Sequence, residues 1–144
     1  MRVTSVSRSL AVAVAIAASC LLTLPMPLLA ADDPDPGKKM VVVIVTYNFP
    51  GPVTPGEVKR AAARGAQRYL NLPGLLRKNY WLSEDGMRAG GIYVWESRAR
   101  AEAFYTAEWK QFFTAQYGVA PEIVYLHSPV MVDNTAGRIV SDAE

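Results

Sequence analysis

The side chains with chemistry to offer in this sequence are mostly aromatic. Tyr80, Trp81, Tyr93, Trp95, Tyr105 and Trp109 supply flat ring surface, and their O–H and N–H groups are donors that could orient a phenol. Such rings pack cores as readily as they line slots. Lys78 stands two residues before Tyr80 among apolar neighbours. An ammonium there would hold an anionic oxygen, or carry its charge out to the rim on its apolar stem. Glu108 is a carboxylate at the edge of a face made by Ala101, Phe104, Tyr105 and Phe112. Partial burial would raise its pKa and suit it to general-base work. Full exposure would leave it a surface acid beside Arg or Lys. Asn48 could donate to a ligand at a pocket mouth, or serve the turn before Phe49-Pro50. His127 is the single histidine, with no Ser/Asp context for a triad, and reads as structural.

Other chemistries are missing from the chain. It has no nucleotide-type Gly-rich motif and no His/carboxylate cluster at metal-ligand spacing, so neither a cofactor nor a metal is expected. With 15 Lys and Arg against 13 Asp and Glu in 144 residues, the net charge is +2. A nucleic-acid binder carries a larger basic excess.

The first thirty residues read as an address. Arg2 and Arg8 precede an uncharged run from Leu10 to Leu24, Pro25 and Pro27 follow, and Ala30-Ala31 offers a small-residue exit. This is the pattern of a secretory signal peptide, with a core short for a membrane span. Cys20 lacks a lipobox context, and there is no Arg pair for a twin-arginine route. Cleavage after residue 30 would leave 13 basic and 13 acidic side chains and no cysteine. An exported domain of that kind is held by its core rather than by disulfides, and it has no thiol nucleophile. Its expected location is periplasmic or secreted, without stable membrane association.

The elements that would position the candidates follow from patterning. Residues 31–39 are polar and Pro-rich, a flexible leader. Met40 to Tyr47 is mostly β-branched and apolar on both sides, a central strand to be covered on both faces. Thr54-Pro55-Gly56-Glu57 opens a helix with a capping box, and Val58, Ala61, Ala62, Gly65, Ala66 and Tyr69 give it a thin small-residue face. Leu75–Leu82 and Arg88–Glu96 form a hairpin around an Asp-Gly turn, and Gly90-Gly91 marks a bulge or a close backbone approach. Strand alternation separates Lys78 and Tyr80 from Asn79 and Trp81. Ser97 caps a second helix reaching about Tyr117, residues 121–126 form a last strand, and residues 134–144 form a polar tail. The order β-α-β-β-α-β predicts an α+β, ferredoxin-like plait over residues 40–133, with an antiparallel sheet and both helices on one face. The bare face would then need a second copy, so a homodimer is expected.

LPGLLRKNYW followed by SEDGMRAGGIYVWESRARAEAF resembles the YdhR-type monooxygenases of the dimeric α/β-barrel superfamily. The likeness spans about residues 41–133, and the run Ala89-Gly90-Gly91-Ile92-Tyr93 is its most specific part. The resemblance implies subunits paired into a barrel and a pocket between sheet and helices. It implies a small aromatic or quinol substrate that, once deprotonated, passes an electron to O₂ without a cofactor. It also singles out Lys78, and with it Tyr80, as the pair facing the helices. Lys78, Tyr80 and Glu108 are therefore the catalytic candidates. Asn48, Tyr93, Trp95, Tyr105 and Trp109 are the substrate-binding candidates. Several such oxygenases have His near the position of Glu108, so a His-dependent mechanism does not carry over. A non-catalytic small-ligand binder on the same fold is the alternative. Haem binding is disfavoured because the second helix has no axial His.

Overall fold

The computed structural model describes residues 39–142. The proposed signal peptide and residues 31–38 of the leader lie outside them. Seven residues of the apolar run and the following Asn48 form β1 (Val41–Asn48), and the Thr54 capping box starts α1 (Pro55–Ala66), which ends in a 3-10 turn over Gln67–Tyr69. The hairpin is β2 (Leu75–Leu82) and β3 (Arg88–Trp95), followed by α2 (Arg98–Phe104), α3 (Ala107–Tyr117) and β4 (Glu122–His127). The main sheet has the order β2-β3-β1-β4, antiparallel throughout. This is the ferredoxin-like arrangement that the element order predicts.

β1 lies between β3 and β4, with Val43 opposite both Tyr93 and Tyr125. Its Val41, Val43, Val45 and Tyr47 are buried in a core with Tyr93, Trp95, Tyr105, Trp109 and Phe113. The alternate residues Val42, Ile44 and Thr46 face the other way and are only half-buried. Their cross-strand neighbours Ile92, Val124 and Leu126 are 39%, 50% and 45% exposed. One face of the sheet is thus covered by the chain itself, and the other presents an apolar stripe.

Two elements differ from the sequence reading. The helix expected from Ser97 to Tyr117 is broken at Tyr105, whose ψ of 57° is not helical, and Thr106 starts α3 afresh by accepting from Trp109 N at 3.2 Å. The break seats Tyr105 in the core at 4% exposure. A Thr cap inside an apolar run competes with helix continuation, and burial of the ring decides the outcome. The supposed polar tail contributes a strand. β5 (Val130–Asp133) and β6 (Arg138–Ser141) form a separate hairpin. The Asp133 carboxylate accepts from Thr135 N and Ala136 N at 3.1 Å and pairs with Arg77 of β2 at 3.2 Å. Asp142 then accepts from Met40 N at 2.9 Å and bonds His127 at 2.5 Å, so His127 has the structural role expected of it.

Gly90 and Gly91 lie in regular register, without a bulge. A Cβ on Gly90 would stand 1.9 Å from the Val45 carbonyl oxygen, so the close approach is to β1. A Cβ on Gly91 would stand 2.6 Å from the Tyr93 ring. The missing side chain leaves the space that this ring occupies.

Candidate functional site

Lys78 and Tyr80 lie opposite Tyr93 and Gly91 in the β2–β3 ladder, so they project to the helix-covered face. The Lys78 Nζ lies over three rings, 3.1 Å from the centroid of Tyr69, 4.0 Å from Tyr80 and 4.6 Å from Tyr93. Gly91 makes room for the third ring, and the 3-10 turn after α1 delivers the first. Among the described residues no acid pairs with the amine. Burial, and then the Arg68 guanidinium, push it down to about 6. The ring faces pull the other way, since their quadrupoles favour the charged form. Around it the phenols are held protonated: burial raises Tyr69 and Tyr93 well above the usual range and Tyr80 to about 12.

Beside this cage runs a groove of about 600 Å³ between the start of α1 and the β2–β3 turn, lined by Val53, Pro55, Val58, Ala62, Tyr80 and Trp81, among others. Its apolar floor comes from the small-residue face of α1. That helix buries none of its residues fully, and a Cβ on Gly65 would still stand 3.9 Å from the Tyr80 hydroxyl. α1 therefore rests loosely on β2. Tyr80 is common to the groove and the cage. At the turn end of the groove, Ser83 Oγ and Met87 N hold the Asp85 carboxylate at 2.5 and 3.0 Å.

The other candidates fall elsewhere. Glu108 is exposed in the first turn of α3, and its own backbone N–H and the Thr106 hydroxyl hold its carboxyl below the usual range. The partial burial that would have made it a base is absent, because the break at Tyr105 resets the helix phase. Trp95, Tyr105 and Trp109 are buried core, with Trp95 Nε1 donating to the Tyr105 hydroxyl at 3.4 Å. They do not line the groove. Asn48 Nδ2 donates to Glu122 Oε1 at 2.8 Å and ties β1 to β4, on the far side of β3 from the cage. The residues that sequence reasoning missed are Tyr69 and Arg68. Tyr69 shows in the pattern only as the last member of the α1 face. Arg68 looks like one of several solvated cations. Among the described residues there is no group of three acidic, His or Cys side chains able to hold a metal, and no helix long and apolar enough to cross a membrane.

No family model and no curated protein matches the chain. Solved structures do. The crystal structure of a monooxygenase from the Streptomyces coelicolor gene ActVA-Orf6, in complex with nanaomycin D, matches with a TM-score of 0.52 at 24% identity, over 68% of this chain and 94% of that one. SnoaB, a cofactor-independent oxygenase from Streptomyces nogalater, matches with a TM-score of 0.47 at 19% identity, over 62% of this chain and 93% of its own. The first likeness establishes the fold, a ferredoxin-like α+β domain.

Proposed function

We propose that this protein is an exported, cofactor-independent monooxygenase, akin to the YdhR-type enzymes, that oxidises a small electron-rich aromatic or quinol with O₂ as a homodimer. The observation that carries the reading is the Lys78 amine enclosed by Tyr69, Tyr80 and Tyr93 beside an apolar groove, where burial favours its neutral form. The shared fold with a monooxygenase supports it. A ring in the groove would lie against Tyr80. The neutral amine would accept the proton of a substrate hydroxyl, and the ammonium formed, together with Arg68, would hold the phenolate. The phenolate is then the reductant. A hydroquinone and O₂ give a hydroxyquinone and water, one oxygen atom entering the ring and the other leaving with the two substrate hydrogens.

The apolar stripe of Ile92, Val124 and Leu126 supports the dimer, since a face of that kind is stable when a second sheet covers it. Export is supported by the pattern of residues 1–30 alone. The test is oxygen uptake by the mature protein with a naphthohydroquinone. Consumption above the uncatalysed rate, abolished in Lys78→Met, is expected. Tight binding without oxygen uptake would instead favour the non-catalytic binder.

A further inference from the structure

The solvent face of α1 is cationic along its length. Lys59, Arg60 and Arg64 stand on the helix and Arg68 continues the row in the 3-10 turn, all of them exposed. Arg60, Arg64 and Arg68 follow at a spacing of four, which makes them neighbours on a helix surface. Like charges so placed repel and weaken a helix unless an anion lies over them. The domain supplies none. Among the described residues none of the four forms an ion pair, whereas Arg77 and Arg98 have Asp133 and Glu102. Glu57 is the single acid between Pro55 and Tyr69. Its carboxylate already accepts from the Thr54 N–H and hydroxyl at 2.7 and 2.8 Å, and of the four cations Arg60 is the one that acts on it.

At the rise of a helix, the row from Lys59 to Arg68 is about 14 Å long. Arg60, Arg64 and Arg68 line no part of the groove, so the row fits a continuous charged surface rather than one small anion. An anionic bilayer is such a surface. Two neighbours of the row favour it. Leu70, directly after the 3-10 turn, is 63% exposed, an aliphatic side chain that the headgroup region of a leaflet accommodates. Lys59 also lines the apolar groove, so the mouth of the groove borders the cationic face. The acids of the groove, Glu84 and Asp85, lie in the β2–β3 turn at its other end.

We propose that α1 docks this protein on an anionic membrane surface, with Lys59, Arg60, Arg64 and Arg68 over the lipid phosphates and the groove mouth beside the bilayer. The association is peripheral and reversible, since no helix among the described residues is long and apolar enough to cross a membrane. The proposal concerns where the protein works, and it goes beyond the reading of the groove above.

The test is sedimentation of the mature protein with vesicles. Phosphatidylcholine containing about one-third phosphatidylglycerol is compared with pure phosphatidylcholine at low ionic strength. The mixed vesicles should bind the protein roughly tenfold more tightly or better, and salt at about 0.5 M should release it. Arg60→Gln/Arg64→Gln should lose roughly tenfold of that affinity or more. Arg98→Gln/Arg138→Gln removes the same charge from α2 and β6, and should lose less than about twofold. All four arginines are exposed, and a melting curve for each variant checks that it folds. No binding, equal binding to the two vesicles, binding that persists in salt, or equal losses in the two double variants would overturn the proposal. Oxygen uptake is measured without vesicles, so its failure would leave this result standing.

Discussion

Lys78→Met should make the protein more stable at neutral pH, and the gain should shrink as pH rises. In the unfolded chain the amine titrates near 10.5, and in the fold near 6. Between these values the unfolded chain holds one more proton, so stability rises with pH by about 1.36 kcal/mol per unit. Above pH 10.5 both states are neutral and the penalty vanishes. Below about pH 6 both are protonated and it is complete. At pH 7 the penalty is at most about 5 kcal/mol, and the attraction of the ring faces for the charged form lowers it only as far as it lifts the folded pKa above 7. Methionine is unbranched and polarizable, and fits among the three rings without a charge. The assay is urea unfolding of both proteins at pH 7, 8 and 9, at one protein concentration so that any association is held constant. From pH 7 to 9 the wild type should gain about 2.7 kcal/mol on the variant. The phenols of the cage stay protonated in the fold throughout and are common to both proteins. Curves parallel within about 0.5 kcal/mol would mean that Lys78 stays charged in the native state, and the base role would fall with it.

Three further outcomes follow from single side chains. Gly90→Ala should destabilise by more than about 3 kcal/mol in chemical unfolding, because its methyl would stand 1.9 Å from the Val45 carbonyl and must part β1 from β3. A loss under 1 kcal/mol would show that the ladder yields there. Leu126→Glu should convert a dimer to monomers in light scattering without loss of secondary structure, since the side chain is 45% exposed in the single chain. A dimer unaffected by that charge would place the interface elsewhere. Glu108→Gln should leave oxygen uptake and its pH profile unchanged and barely alter stability, since the carboxylate is exposed in the first turn of α3. A tenfold loss of rate would return Glu108 to the site.

The plait was legible because its signals are local. The β-branched run of β1, the Thr54 capping box and the Asp85-Gly86 turn each specify an element from a few neighbouring residues. The side of Lys78 was legible only as one of two alternating sets. The register Lys78↔Tyr93, with Tyr93 buried at 4%, selects the set. Glu108 was misplaced because a helical wheel assumes one continuous helix, and a single buried ring interrupts it. Trp95, Tyr105 and Trp109 could not be told from pocket walls, since an aromatic packs and recognises with the same surface.

Patterning along the chain therefore determined which segments pair and which faces are apolar, because backbone propensity and side-chain period act over a few residues. What only the folded molecule decided is the environment of the amine. Tyr69, Lys78 and Tyr93 come from a turn and two strands, and their meeting depends on strand register and on the space left by Gly91. Desolvation is a property of everything that surrounds a group at once. It can be assigned to Lys78 only after distant parts of the sequence have closed around it.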